Sequence, residues 1–208
     1  MINVSIAGIG GQGSVLAARI LAQAAEVKGW QVRSAETIGM AQRGGDVMSH
    51  VRMGNAGEEV FSPLPAKGTV DVLIALEPGE AARALPYLKE NGLLVVASTG
   101  IPPVMANFKR QTYDPQHLID DMQAAGVKTV VVDDTELVHR LGEPKALNVM
   151  MLAYAIIAVN KREDCIDNAL RGAITLEDIE AAIPLCVKRK LVSVNEKAIK
   201  VVQQVARV

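Results

Sequence analysis

The spacing of hydrophobic and polar positions changes several times along this 208-residue chain, and each change marks an element. Ile2 to Ala7 is mostly apolar and reads as a buried strand. From Gln12 to Lys28 the apolar positions Val15, Leu16, Ile20, Leu21, Ala24 and Val27 recur at helical spacing. Gly29 follows where a left-handed residue closes a helix. Gln31 to Glu36 reads as a second strand, and residues 37–46 as a glycine-rich loop. Val47, Ser49, Val51 and Met53 then alternate with Met48, His50 and Arg52, the two-residue period of a strand. GNAG at 54–57 reads as a turn and EEVFS at 58–62 as the returning arm of a hairpin inserted after the second strand.

A regular α/β rhythm resumes downstream. DVLIAL (71–76), LLVVAS (93–98) and VKTVVVDD (127–134) read as strands, with helices at EAARALPYL (80–88) and DPQHLIDDMQAAG (114–126). The last third predicts helices over 135–141, 146–160, 175–183 and 185–206, and Thr175 and Asp178 have capping-box spacing. The expected fold class is α/β: a mostly parallel, Rossmann-like sheet with an inserted β-hairpin and a helical C-terminal part. We expect one domain over 1–208, with the α/β core at 1–134 and the helical part at 135–208.

Composition narrows the function classes. Half of the residues are hydrophobic but only 3 % are aromatic, so the core is aliphatic. Lys and Arg number 22 against 23 Asp and Glu, without the basic excess and stacking aromatics of a nucleic-acid binder. No signal peptide is read at the start, and the apolar run at Leu147 to Val159 is short for a membrane span. We therefore expect a cytoplasmic protein with no nucleic-acid or membrane partner. Two cysteines, Cys165 and Cys186, form no C-x-x-C pair and cannot supply the four thiolates of a usual iron–sulfur cluster. His50, His117 and His139 show no ligand spacing with them, so no metal site is expected.

The chemistry concentrates at GIGGQG, where Gly8, Gly10 and Gly13 fit G-x-G-x-x-G. Such glycines permit a tight turn, backbone approach to a phosphate and close helix–strand packing. The following helix presents free N–H groups and its positive dipole end to an anion. Glu36, at the end of the second strand, stands where an acidic residue would bind a ribose hydroxyl. The extra Gly11 and the glycine-rich insertion at 42–45 depart from that fingerprint. Three readings stay open on the residues alone: a ligand-free turn, an anion or phosphate site, and a dinucleotide site.

A wider pattern goes further. Gly8 to Gly13, then Arg43-Gly44-Gly45, then Ser49-His50-Val51-Arg52 form three ordered motifs within residues 8–54. This stretch resembles the gamma subunit or gamma domain of 2-oxoacid:ferredoxin oxidoreductases. MAQRGG at 40–45 is most similar to the small (beta) subunit of the indolepyruvate type. FSPLP (61–65), VDVLIALEPGEA (70–81), Ile101-Pro102-Pro103, Lys145 to Asn148 and Asn195 to Ala198 extend the resemblance over nearly the whole chain.

The resemblance implies a subunit, inactive alone, of an enzyme that oxidatively decarboxylates a 2-oxoacid to an acyl-CoA. It implies that a large catalytic (alpha) subunit carries thiamine diphosphate and the iron–sulfur clusters, that CoA is co-substrate, and that ferredoxin accepts the electrons. This chain holds no cofactor by itself on that reading. The expected ligand-facing residues are Gly8, Gly10, Gly11, Gln12 and Gly13 in the turn, with Gln42, Arg43, Gly44 and Gly45 in the loop. Arg43 is the first candidate, because a guanidinium donates paired hydrogen bonds to a CoA phosphate, a substrate carboxylate or a partner carboxylate. Arg43 and His50 are candidates for assisting the reaction, with His50 also read as a hydrogen-bonding interface residue. Glu77 is read as a helix cap with substrate binding as the alternative, and Met40 and Met48 as candidates for an apolar partner-facing surface. The adjacent pairs Asp120-Asp121 and Asp133-Asp134 are read as solvated charge or caps. Competing readings are a gamma subunit for pyruvate or branched-chain 2-oxoacids, a stand-alone NAD(P)-binding dehydrogenase, and a purely structural partner subunit.

Overall fold

The computed structural model describes residues 1–39, 45–102, 113–161 and 170–206. Six strands form one sheet: β1 (Ile2–Ile9), β2 (Gln31–Ile38), β3 (Asp46–Gly54), β4 (Val70–Ala75), β5 (Leu88–Ala97) and β6 (Lys128–Val132), in the order β2-β3-β1-β4-β5-β6. The β1, β4, β5 and β6 strands are mutually parallel, whereas β3 runs antiparallel to both β1 and β2. The mixed α/β, mostly parallel expectation therefore holds.

The hairpin is built differently from its sequence reading. Residues 58–62 form no strand. The partner of β3 is instead β2, with Gln31 opposite Gly54 and Ile38 opposite Val47. The α1 crossover (Ser14–Val27) carries the chain from β1 past one strand position, and β3 folds back into the gap. The 58–62 segment is pinned by side chains: Gln31 Oε1 accepts from Val60 N, and Arg52 Nη1 donates to Ser62 O at 2.8 Å. Those bonds replace a backbone ladder.

Helices cover the two faces unequally. Ile2, Val4 and Ile6 of β1 point into the larger core with α1 and four C-terminal helices: α4 (Asp134–Leu141), α5 (Leu147–Lys161), α6 (Leu176–Cys186) and α7 (Arg189–Val205). Val149 through Ala153 of α5 are fully buried, the pattern of a helix enclosed on all sides. On the other face, Ala7, Leu73, Ala75, Leu94 and Val96 pack against α2 (Pro78–Ala84) and α3 (Pro115–Ala124). The caps follow the sequence: Gly29 has φ +78°, Asp114 caps α3, and Thr175 and Asp178 complete a capping box on α6. Among the described residues no helix is long and apolar enough to cross a membrane.

Candidate functional site at the ends of β1 and β4

Connections leave β1 and β4 in opposite directions across the sheet, so their carboxyl ends flank a topological switch point, where open α/β sheets place ligands. The GIGGQG turn forms one wall. Gly11 has φ +104° and Gly13 +86°, a region that favours glycine. Gly13 is also the N-cap of α1 and gives it no side-chain cap, leaving the first-turn N–H groups without a capping side chain.

Gln12 is spent inside the turn. Its Oε1 accepts from Ile9 N at 2.7 Å, and its Nε2 donates to Leu76 O at 2.9 Å, so the amide spans the crevice between β1 and β4. Gly8 lies beneath it: a Cβ there would sit 2.9 Å from Gln12 Oε1 and 3.2 Å from Leu76 Cβ. A Cβ on Gly13 would meet Asn148 Nδ2 at 2.7 Å, the group that donates to Gly13 O. Gly11 is different, because among the described residues nothing lies within 4 Å of its Cβ position. Gly10 N donates to Gly45 O at 2.8 Å, which joins the turn to the end of the RGG motif. Gln42, Arg43 and Gly44, with Met40, lie outside the described residues.

The geometry departs from a dinucleotide site. In that site the second strand lies beside the first, bringing its terminal acid to the ribose. Here β3 separates them, so Glu36 stands two strand spacings, roughly 10 Å, from β1. The Gln12 amide also occupies the crevice beside the turn.

The second wall centres on Glu77, 2 % exposed. Its Oε2 accepts from Glu80 N at 2.9 Å and caps α2, as the Glu-Pro step at the helix start implies. Its Oε1 accepts from Ile101 N at 3.2 Å and from the Tyr113 hydroxyl. Tyr113 Oη in turn accepts from Gly79 N at 3.1 Å. Burial, followed by the bond to Glu77, pushes the Tyr113 phenol well above its usual range, so it acts as a donor. Arg83 grips Glu80 at 3.2 Å, and burial raises the Glu80 carboxyl despite that partner. These groups, with Ile9, Gly45 and Asp46, line a half-open pocket of about 210 Å³. Sequence reasoning found Glu77 through its helix start but missed Tyr113 and Arg83, since nothing local in the chain announces a phenol 36 residues from its acceptor.

His50 lies elsewhere. On β3 it pairs with Ser5, about 10 Å along the strand from the Gly8 end, and is 2 % exposed. Ser5 Oγ and His50 Nδ1 are 2.8 Å apart, and the ring packs 5.7 Å from Tyr87. Met48 is half-buried on the same face. Burial lowers the His50 pKa below 6.5. The unfolded chain thus binds the extra proton first, and stability present above about pH 6.5 is lost as pH falls through the folded pKa. The urea midpoint of the isolated chain should be lower at pH 5.5 than at pH 7.5, and H50Q should lessen that drop.

Of the aspartate pairs, Asp133 caps α4 and Asp120 and Asp121 are exposed, as expected. Asp134 corrects the reading: 6 % exposed, it accepts from Ser98 Oγ at 3.0 Å and Thr99 N at 2.9 Å, tying β5 to α4. Among the described residues no group of three His, Cys, Asp or Glu side chains could hold a metal. Cys186 ends α6 with its thiol pushed up by burial, and Cys165 lies outside the described residues. Two thiols in the whole chain do not fit a four-thiolate cluster.

Comparison with known proteins agrees with this architecture. The family model described as pyruvate ferredoxin/flavodoxin oxidoreductase matches residues 3–207. An indolepyruvate oxidoreductase subunit, IorB, of Archaeoglobus fulgidus is 32 % identical over 96 % of this chain and 92 % of its own length. The common gamma subunit of pyruvate/ketoisovalerate oxidoreductases of Pyrococcus furiosus is 26 % identical over 88 % of this chain and 94 % of its own. In fold, the gamma subunit of a keto/oxoacid ferredoxin oxidoreductase from Geobacter sulfurreducens superposes with a TM-score of 0.66 at 24 % identity, covering 98 % and 97 % of the two chains. With its glycine turn, its inserted β3 and a match along almost its whole length, the chain belongs to the pyruvate ferredoxin/flavodoxin oxidoreductase family.

Proposed function

We propose that this chain is the small subunit of an indolepyruvate-type 2-oxoacid:ferredoxin oxidoreductase of the cytoplasm. The reaction splits a 2-oxoacid at its carboxylate, releases CO₂, joins the acyl group to the CoA thiol and passes two electrons to ferredoxin. Thiamine diphosphate and the clusters belong to the large catalytic subunit. The observation that carries the reading is the similarity to an indolepyruvate oxidoreductase subunit over nearly the full length of both chains. The match to a pyruvate/ketoisovalerate gamma subunit, though lower, supports a second reading, in which the substrate is pyruvate or a branched-chain 2-oxoacid.

Within the complex, Gly11 and the uncapped start of α1 offer an approach for a CoA phosphate, and Arg43 supplies the charge. Gly10, Gln12 and Gly45 hold that surface in shape. The test is anaerobic purification of the chain with its large subunit, followed by CoA-dependent assays with indolepyruvate, pyruvate and branched-chain 2-oxoacids. Preference for indolepyruvate supports the proposal; preference for another 2-oxoacid selects the second reading. Saturable NADH binding by the chain alone would point to a dehydrogenase instead. In the active complex, R43A should raise the KM for CoA roughly ten- to hundredfold, the equivalent of about 1.5–3 kcal/mol for one charged contact. Unchanged CoA dependence would leave this loop a structural role only.

A further inference from the structure

The corner between α6 and α7 carries charge that no ion pair among the described residues neutralises. Lys188, Arg189 and Lys190 are consecutive, all exposed, and stand at the N-terminus of the 17-residue α7. Cations there oppose the helix dipole, which favours acidic residues in the first turn. No side-chain cap offsets them, and the first turn contains no acid. From Pro184 to Val194 the sequence has no carboxylate, and among the described residues no ion pair involves any of the three. An acidic contact from outside the chain would relieve that opposition.

The surroundings define that contact. Leu185 and Leu191, on either side of the triplet, are 57 % and 41 % exposed. Cys186 Sγ lies 3.7 Å from Arg19 O, which sets this corner against α1. Arg19 is itself exposed, and one turn toward the glycine motif Val15 is 43 % exposed. Lys188, Arg189 and Lys190 thus stand among exposed apolar side chains at a corner set against α1, the helix that starts at GIGGQG. Exposed leucines among the cations suit a protein surface better than a free phosphate, which would gain nothing from them.

We propose that this patch is a docking surface for an acidic face of the large catalytic subunit, with Lys188, Arg189 and Lys190 supplying the charge complementarity and Leu185 and Leu191 the apolar contact. The proposal rests on the subunit reading.

The test uses the triple variant K188E/R189E/K190E, measured alone and with the large subunit. Alone, the variant should melt at a higher temperature than wild type, because carboxylates complement the helix N-terminus. With the large subunit, its dissociation constant at low salt should be at least tenfold weaker, and the salt dependence seen for wild type should flatten. These opposite signs separate an interface from a folding defect. If the wild-type chain binds no large subunit at all, the subunit reading itself falls. Wild type and variant binding equally tightly would overturn only the docking surface. Equal binding with a raised KM for CoA would assign the patch to a phosphate ligand and also overturn it. Loss of a wild-type self-associated form in the variant, without loss of large-subunit binding, would assign it to a second copy of this chain.

Discussion

Replacing Glu77 with alanine is expected to destabilise the isolated chain by about 3 kcal/mol. One buried carboxylate receives three donors: Glu80 N, Ile101 N and the Tyr113 hydroxyl. Loss of the helix cap alone costs about 0.5–2 kcal/mol. Each buried donor left without an acceptor adds about 1–3 kcal/mol, reduced where water can enter from the pocket. For a domain of this size the melting temperature should fall by roughly 6–12 °C. E77Q keeps the side-chain oxygen for the cap and should lose less than half as much. Y113F removes one donor, leaves Gly79 N without its acceptor, and should fall between wild type and E77A. Urea midpoints of the three variants, with unchanged slopes, provide the check. A loss under about 0.5 kcal/mol for E77A would mean that water replaces the carboxylate and that the pocket wall is not held this way.

The expected effect shows what a sequence displays and what it hides. The α/β rhythm was legible because buried strands leave apolar runs and helices leave caps: Gly29, Asp114 and Thr175 are all local signals. The pairing of β3 was not. Alternation at Val47 to Met53 states that a strand exists but not which neighbour it takes, and EEVFS lay close enough to suggest the wrong one. Only the two-sided burial of β3 between β1 and β2 distinguishes them. Glu77 was legible as a cap, whereas its bonds to Ile101 and Tyr113 depend on loops converging from β5 and α3. Asp134 failed for the same reason, since its partners Ser98 and Thr99 are more than 30 residues away. The glycine turn was legible as a tight strand-to-helix turn with glycines at its left-handed positions. That Gln12 fills the crevice beside it required knowing that Leu76 O lies within reach.

Substitution of the turn glycines should divide them into two kinds. Gly13 combines φ +86° with a Cβ position 2.7 Å from Asn148 Nδ2. G13A therefore carries about 1 kcal/mol of left-handed strain and must also push the Asn148 amide from its bond to Gly13 O. Asn148 is 2 % exposed and already has Oδ1 without a partner among the described residues, so displacing Nδ2 leaves the buried amide with less still. We expect G13A to lose about 2–4 kcal/mol, and α1 and α5 to lose their mutual alignment at this end. G11A meets no neighbour among the described residues and carries backbone strain alone, about 1–2 kcal/mol. In the assembled enzyme the order should reverse. G11A, which leaves the fold mostly intact but puts a methyl group on the open side of the turn, should raise the KM for CoA with little change in kcat. G13A complexes that survive purification should lose yield rather than CoA affinity. Denaturant midpoints on the isolated variants and CoA titrations on the complexes separate the two. An unchanged KM for CoA in G11A would restrict the ligand to the Arg43 loop and leave the glycine turn as scaffold.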